Sequence, residues 1–173
     1  MSQELERFIV MFDGLVNISN DWIEATPKDK LDWTPPAGSG VAFGDRLSKV
    51  TIKNLYGHIS LSEFSYVHAL KECDEGAALT MNKDPNVVAR LNSDDFLAES
   101  RQLHEECMNI VRAYTDRELR KKVAHTERTY TGMGFLWAMY AHHAYHLGNI
   151  DIYLRLASGT APDFFNFHRQ EMA

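Results

Sequence analysis

Phe135-Leu-Trp-Ala-Met-Tyr-Ala-His-His-Ala-Tyr-His-Leu-Gly-Asn-Ile150 decides how this chain is read. Its apolar residues recur at helical spacing. With Phe135 at zero and about 100° per residue, Phe135, Met139, His143, Ile150 and Tyr153 fall within about 80° of one another. His146 lies inside this arc and His142 beside it, while Ala141, Ala144, Gly148 and Arg155 point the other way. Residues four apart on a helix stand one turn apart on the same face, with Cβ atoms about 5–6 Å from each other. Two imidazoles so placed can share one transition-metal ion. Two adjacent imidazoles on an apolar face are costly unless neutral and hydrogen-bonded, or ligated. The alternative is a pair of core histidines, and an isolated HxxxH leaves the two readings evenly balanced.

Outward from this stretch, the spacing predicts four long helices. The first covers about Gln3 to Ala25, with Leu5, Phe8, Ile9, Phe12, Leu15, Val16 and Ile23 at helical intervals, and Thr26-Pro27 ends it. Pro35, Pro36, Gly38 and Gly40 punctuate a loop from Pro27 to about Val50. Thr51 caps a second helix, about Ile52 to Cys73. Asp74 to Asn92 reads as a polar loop with room for a short helical turn. Ser93, with Asp94 and Asp95 in the first turn, opens a third helix to about Tyr114. Thr115–Thr131 is a connection with a helical turn at Asp116–Val123. Gly132 and Gly134 precede the fourth helix, about Phe135 to Ala157, which Ser158-Gly159 ends. No run shows sustained strand alternation. The expected fold is all-α: one four-helix-bundle domain over residues 1–173. About 25 residues join the first two helices, so a simple up-down-up-down order is not required, and loops of that length usually carry function.

Composition narrows the function classes. The 173 residues suit one domain with a substantial core, and 45 % apolar with 24 % charged residues is ordinary for a globular protein. The net charge is −6 and no Lys/Arg-rich run stands out, which disfavours nucleic acid as a partner. No stretch approaches the roughly 20 apolar residues of a membrane span, and the N-terminus lacks a signal-peptide pattern. A cytoplasmic protein is expected, with Cys73 and Cys107 as free thiols. Phe164-Phe165-Asn-Phe167 is a candidate patch for a homodimer contact.

A metal site with an open position takes three protein ligands. His142 and His146 need a third, for which His58, His68, His104, His125 and His168 are candidates. On the second helix His58 falls on the shoulder of the apolar arc beside Leu55, whereas His68 faces away. His58 is the better choice, and Gly57 beside it would leave room for close approach. His104 and His125 lie among charged residues and read as solvated. Glu63 falls in the middle of the apolar face, where a carboxylate needs a partner. It is a candidate for orienting an imidazole, for a general base or for a fourth ligand, and a plain salt bridge inside the bundle accounts for it equally well.

The motifs then resemble a known family. Thr131-Gly-Met-Gly-Phe-Leu-Trp-Ala-Met-Tyr-Ala-His-His-Ala-Tyr-His-Leu-Gly-Asn-Ile150, running on to Tyr153-Leu-Arg-Leu-Ala-Ser-Gly159 and Pro162, resembles the last helix of the DinB-like (YfiT-like) proteins. Thr51-Ile-Lys-Asn-Leu-Tyr-Gly-His58 is similar to that family's second-helix motif, and Leu31-Asp-Trp-Thr-Pro35 to its turn after the first helix. The resemblance covers about residues 3 to 162, leaving 163–173 as an extension. It takes its name from damage-inducible bacterial proteins. It implies a four-helix bundle with a three-histidine divalent metal site, commonly zinc or nickel, whose ligands carry over onto His58, His142 and His146. Characterised members include bacillithiol-dependent transferases and mycothiol-dependent isomerases, and many others are described as metal-dependent hydrolases. The chain departs from the pattern at Leu147, where many relatives have Arg, and at Asn149, where Gln is commoner.

The resulting expectation is a metal ion on His58, His142 and His146 that delivers water or a low-molecular-weight thiol cosubstrate to a small electrophilic substrate. Glu63 is the candidate catalytic residue. The rival is a non-catalytic metal-binding protein, or a bundle whose histidines are core polar residues.

Overall fold

In the computed structural model the described residues are 2–36 and 50–159. The Gly38–Gly40 loop, His168, Pro162 and the Phe164–Phe167 patch lie outside them. The helices are α1 (Gln3–Glu24), α2 (Ile52–Glu72), α3 (Pro85–Asn92), α4 (Phe96–Arg112), α5 (Asp116–Arg120) and α6 (Gly132–Ser158), with strands β1 (Lys122–His125) and β2 (Arg128–Thr131) before α6.

Local chemistry sets each long helix. Ser2 caps α1 by accepting from the Leu5 amide, and Glu4 and Glu6 sit in its first turn, where negative charge is favoured. Thr51 and Asn54 form a reciprocal capping box at the start of α2. Thr131 caps α6 through the Gly134 amide, and Gly159 closes it at φ 72°, the left-handed conformation glycine adopts without strain. Gly132 and Gly134 therefore belong to α6 and do not precede it. Gly132 is required by its neighbour, because a Cβ there would run into the Glu118 carbonyl.

Four long helices form the bundle, with α1 and α2 each packed against both α4 and α6. The two helices that follow one another in sequence thus stand diagonally across the core. Cross-contacts give the directions. Phe8 meets Trp137 and Ser19 meets His143, so α1 and α6 run parallel. Tyr56 meets Phe96 and Glu63 meets His104, so α2 and α4 are also parallel. His58 meets His146 and Tyr66 meets Phe135, so α2 and α6 are antiparallel. The order is up-down-down-up, and the long α1–α2 and α2–α4 connections make it reachable. The core holds Leu5, Phe8 and Phe12 of α1, Ile52, Leu55 and Ile59 of α2, Met108 of α4 and Leu136 of α6.

Three local expectations need correction. The segment before α4 contains a full two-turn helix, α3, capped by Asp84 with Pro85 at its first position, and its Val87 and Leu91 are buried. Ser93 ends α3 instead of opening the next helix, which begins at Phe96 behind Asp95. The connection before α6 contains an antiparallel hairpin, Lys122 pairing with Thr131 and His125 with Arg128. Its turn residues Thr126 and Glu127 both have positive φ, 47° and 63°.

Candidate metal centre

α6 presents two successive histidines to different neighbours, because consecutive residues diverge by about 100° around a helix. His143 points to α1. Its Nε2 lies 2.8 Å from Ser19 Oγ, and that hydroxyl donates to the Leu15 carbonyl, so the ring donates to Ser19. Phe12 packs edge-on against it. His142 and His146 point to α2, where His58 meets both, with ring centroids 5.3 Å and 4.7 Å away. His142 and His146 are themselves 4.5 Å apart.

One ligand-capable nitrogen from each of His58, His142 and His146 lies within 4.8 Å of the other two. Nitrogens bound tetrahedrally to zinc at 2.0–2.1 Å are about 3.3 Å apart, so small side-chain rotations close the set. Desolvation disfavours the charged form of all three imidazoles, and a neutral imidazole offers a lone pair to a metal. The pKa of His142 is lowered to about 4 by burial and then by the charges of His58 and His125. His146 is lowered to about 4 by burial, His142 and His58. His58 is lowered by burial and by Lys83. An all-imidazole set of three suits zinc, nickel or copper and leaves a coordination place for another group. The residues fit a divalent transition metal. The donors grade from buried His146 through half-buried His142 to exposed His58, so the group opens to solvent on the α2 side.

Aromatic rings wall the group. Tyr66, about two turns beyond His58 on α2, stands edge-on to His142 at 5.4 Å, and Tyr145 stands edge-on to His146 at 5.1 Å. Sequence patterning gave no signal for Tyr66, since a tyrosine on a half-buried face reads as packing. Among the described residues no atom lies within 4 Å of a Cβ built at Gly57, so none of them demands glycine there by contact.

The structure does not bring Glu63 to this group. Five residues along α2 from His58, it is turned by about 140° and faces α4. There Glu63 Oε1 accepts a hydrogen bond of 2.6 Å from His104 Nδ1, and His104 Nε2 donates to Asp13 at 3.0 Å. His104 is therefore not solvated: its side chain is 11 % exposed. Burial alone would lower its pKa, but the two carboxylates outweigh that and raise it to about 10. His125 is also half-buried, packed between Tyr66 and Phe135. His68 lies against Phe64 on the same helix. Cys73 and Cys107 are free, and burial pushes the Cys107 thiol far up, which removes it as a nucleophile.

A sequence model of the DinB family matches residues 1–173. Two Bacillus subtilis structures are similar in fold. The DinB-like protein YjoA superposes with a TM-score of 0.64 at 20 % identity, covering 95 % of this chain and 97 % of its own. YfiT, described as a probable metal-dependent hydrolase with an unusual four-helix bundle topology, superposes with a TM-score of 0.65 at 18 % identity, covering 90 % and 89 %. Among curated proteins, none matches significantly.

Proposed function

The chain belongs to the DinB family, and from that premise we propose that it is a divalent-metal-dependent enzyme of the hydrolase or thiol-transferase type, with His58, His142 and His146 as the ligands. The observation that carries this reading is the convergence of three imidazoles from two antiparallel helices, with ligand nitrogens within 4.8 Å of one another. The description of YfiT as a probable metal-dependent hydrolase supports the hydrolase class.

Zinc or nickel held there would supply a nucleophile at neutral pH, by lowering the pKa of water from 15.7 to about 7 or by stabilising a small thiol as thiolate. The chain's own contribution is geometric and electrostatic. Two ligands one turn apart on α6 are fixed relative to each other by the helix, and α2 carries the third. Tyr66 and Tyr145 wall the group. Exposed His58 leaves one side open to a small electrophilic substrate. Glu63 enters this proposal as a positioning residue: its bond to His104 pins α2, and so His58, against α4.

Metal analysis of untagged protein tests the reading, paired with a screen of small esters, amides and thiol–electrophile pairs. One ion per chain, lost with activity in His146→Ala, supports it. A metal-free active protein refutes it.

A further inference from the structure

The polar stripe on α6 does not stop at the histidines. His142, His146, Asn149 and Tyr153 follow one another at spacings of four, three and four residues, and on a helix these fall within about 60° of one another. The first two carry the metal-ligand nitrogens. The next two carry hydrogen-bond donors: Asn149 Nδ2 and Tyr153 Oη are buried atoms with no hydrogen-bond partner among the described residues. Buried donors are nearly always satisfied, so two on one face next to a metal-ligand pair need an explanation. Tyr153 is 2 % exposed, and its ring is held by the edge of Trp33, 5.5 Å away, from the segment that follows α1. The phenol cannot turn to bulk water without giving up that packing. Burial also raises its pKa, which keeps the proton on the oxygen.

Resting on the metal-site reading above, we propose that Asn149 and Tyr153 form the substrate-anchoring half of the site, donating to an acceptor oxygen of the substrate while its reactive group lies at the histidines. Helical rise sets the span. Asn149 stands about 4.5 Å and Tyr153 about 10.5 Å along the axis from His146. The substrate class is therefore a small molecule with its reactive centre separated from a carbonyl or carboxylate oxygen by about 5–10 Å. Both donors are neutral, so they recognise acceptor geometry, and the free energy of the contact comes from satisfying donors that otherwise stay unpaired.

The test uses the full chain loaded with cobalt(II), whose visible bands report ligands entering the metal's open place. Acetate is compared with the dicarboxylates from succinate to suberate and with their half-amides. In the parent, one chain length should bind at least about tenfold tighter than acetate, the loss expected when a good hydrogen-bonded anchor is removed. Tyr153→Phe and Asn149→Ala should bring that length back to the acetate value and leave acetate itself unchanged. Preference for the half-amide over the diacid at the matched length identifies a carbonyl anchor, and the reverse a carboxylate. Metal-free Tyr153→Phe should melt at or above the parent temperature, because it removes a buried unpaired hydroxyl. Equal affinities along the series, or variants that bind it as the parent does, overturn the proposal. So does a lower melting temperature for Tyr153→Phe, which would mean the hydroxyl serves a structural water. A parent that takes up no cobalt overturns the metal reading itself, and this inference with it.

Discussion

Glu63 Oε1 and His104 Nδ1 are joined by a 2.6 Å hydrogen bond between α2 and α4, 41 residues apart in sequence and buried beneath the helix that carries His58. Asp13 of α1 holds the other ring nitrogen, and Arg112 of α4 lies 3.5 Å from that same carboxylate. Three helices are thus tied by one protonated imidazole. Removing it leaves Glu63, 3 % exposed, without its partner. Breaking a buried ion pair from one side typically costs about 3–5 kcal/mol. Urea unfolding of His104→Ala should show a loss of this order. A change within about 0.5 kcal/mol, typical of a surface site, would mean the network carries no weight.

The same group gives stability a pH dependence. Burial works to lower its pKa, but Glu63 of α2 and Asp13 of α1 outweigh that and carry it from 6.5 up to about 10. A group whose folded pKa lies above its unfolded value contributes fully below the unfolded pKa and loses that contribution as pH rises through the folded one. The stabilisation should be complete at pH 6 and decline steadily from about pH 6.5 to 10. Denaturation midpoints of the parent across this range should fall, and those of His104→Gln should stay nearly flat between pH 7 and 9, before tyrosines and lysines titrate.

How the site was legible follows from where its information lies. His142 and His146 are four residues apart, so helix geometry alone places them together. His58 needed the α2 wheel, and the wheel worked because α2 has a definite buried face. His104 was misread because its sequence neighbours Glu105 and Glu106 are charged, whereas its partners Glu63 and Asp13 are 41 and 91 residues away. Only the up-down-down-up packing brings them together, and no local pattern encodes that order. Helix α3 carried a readable signal in Asp84-Pro85, a cap residue followed by proline at the first helical position, but its two buried residues are too few to show a period. The hairpin had four-residue strands and a Thr-Glu turn in place of the Asn-Gly that marks such turns.

That turn is strained. Thr126 and Glu127 adopt φ of 47° and 63°, a region that costs ordinary L-residues about 1–2 kcal/mol each. Thr126→Asn combined with Glu127→Gly installs the Asn-Gly pair that such a turn favours and relieves the strain at both positions. Part of the gain is lost to the greater freedom of glycine in the unfolded chain. The double variant should be more stable by about 1 kcal/mol, roughly 2–4 °C in Tm for a domain of this size. Scanning calorimetry checks it, and a lower Tm would show that the Thr126 or Glu127 side chain makes a contribution larger than the strain.

Metal uptake should be visible in stability. A ligand that binds only the folded state stabilises by RT ln(1 + [L]/Kd), about 2.7 kcal/mol at 100-fold saturation. For this chain that is about 5–10 °C in Tm. Metal-free protein titrated with zinc or nickel should show such a rise, and His146→Ala should abolish it while keeping the helical signal. An unchanged melting curve in the parent would favour histidines that are simply core polar residues.

Enzyme and binding module part ways at the chemical step. If the ion on His58, His142 and His146 supplies the nucleophile, metal-free protein and His142→Ala should both lose activity, and the loss should fall on kcat more than on KM, because the charge being stabilised develops in the transition state. Glu63 then provides the sharper discrimination. Its carboxylate is occupied by His104 and turned away from the three imidazoles, so Glu63→Gln should lower stability, yet reduce kcat by less than about tenfold at a temperature where the variant stays folded. A group that moved the reacting proton would cost about 10²–10⁴-fold. A loss of that size with the fold intact would return Glu63 to the role of general base and require α2 to rotate during turnover. Tight metal binding with no activity toward esters, amides or thiol–electrophile pairs would instead leave a metal-binding module, in which Asn149 and Tyr153 have no substrate to hold.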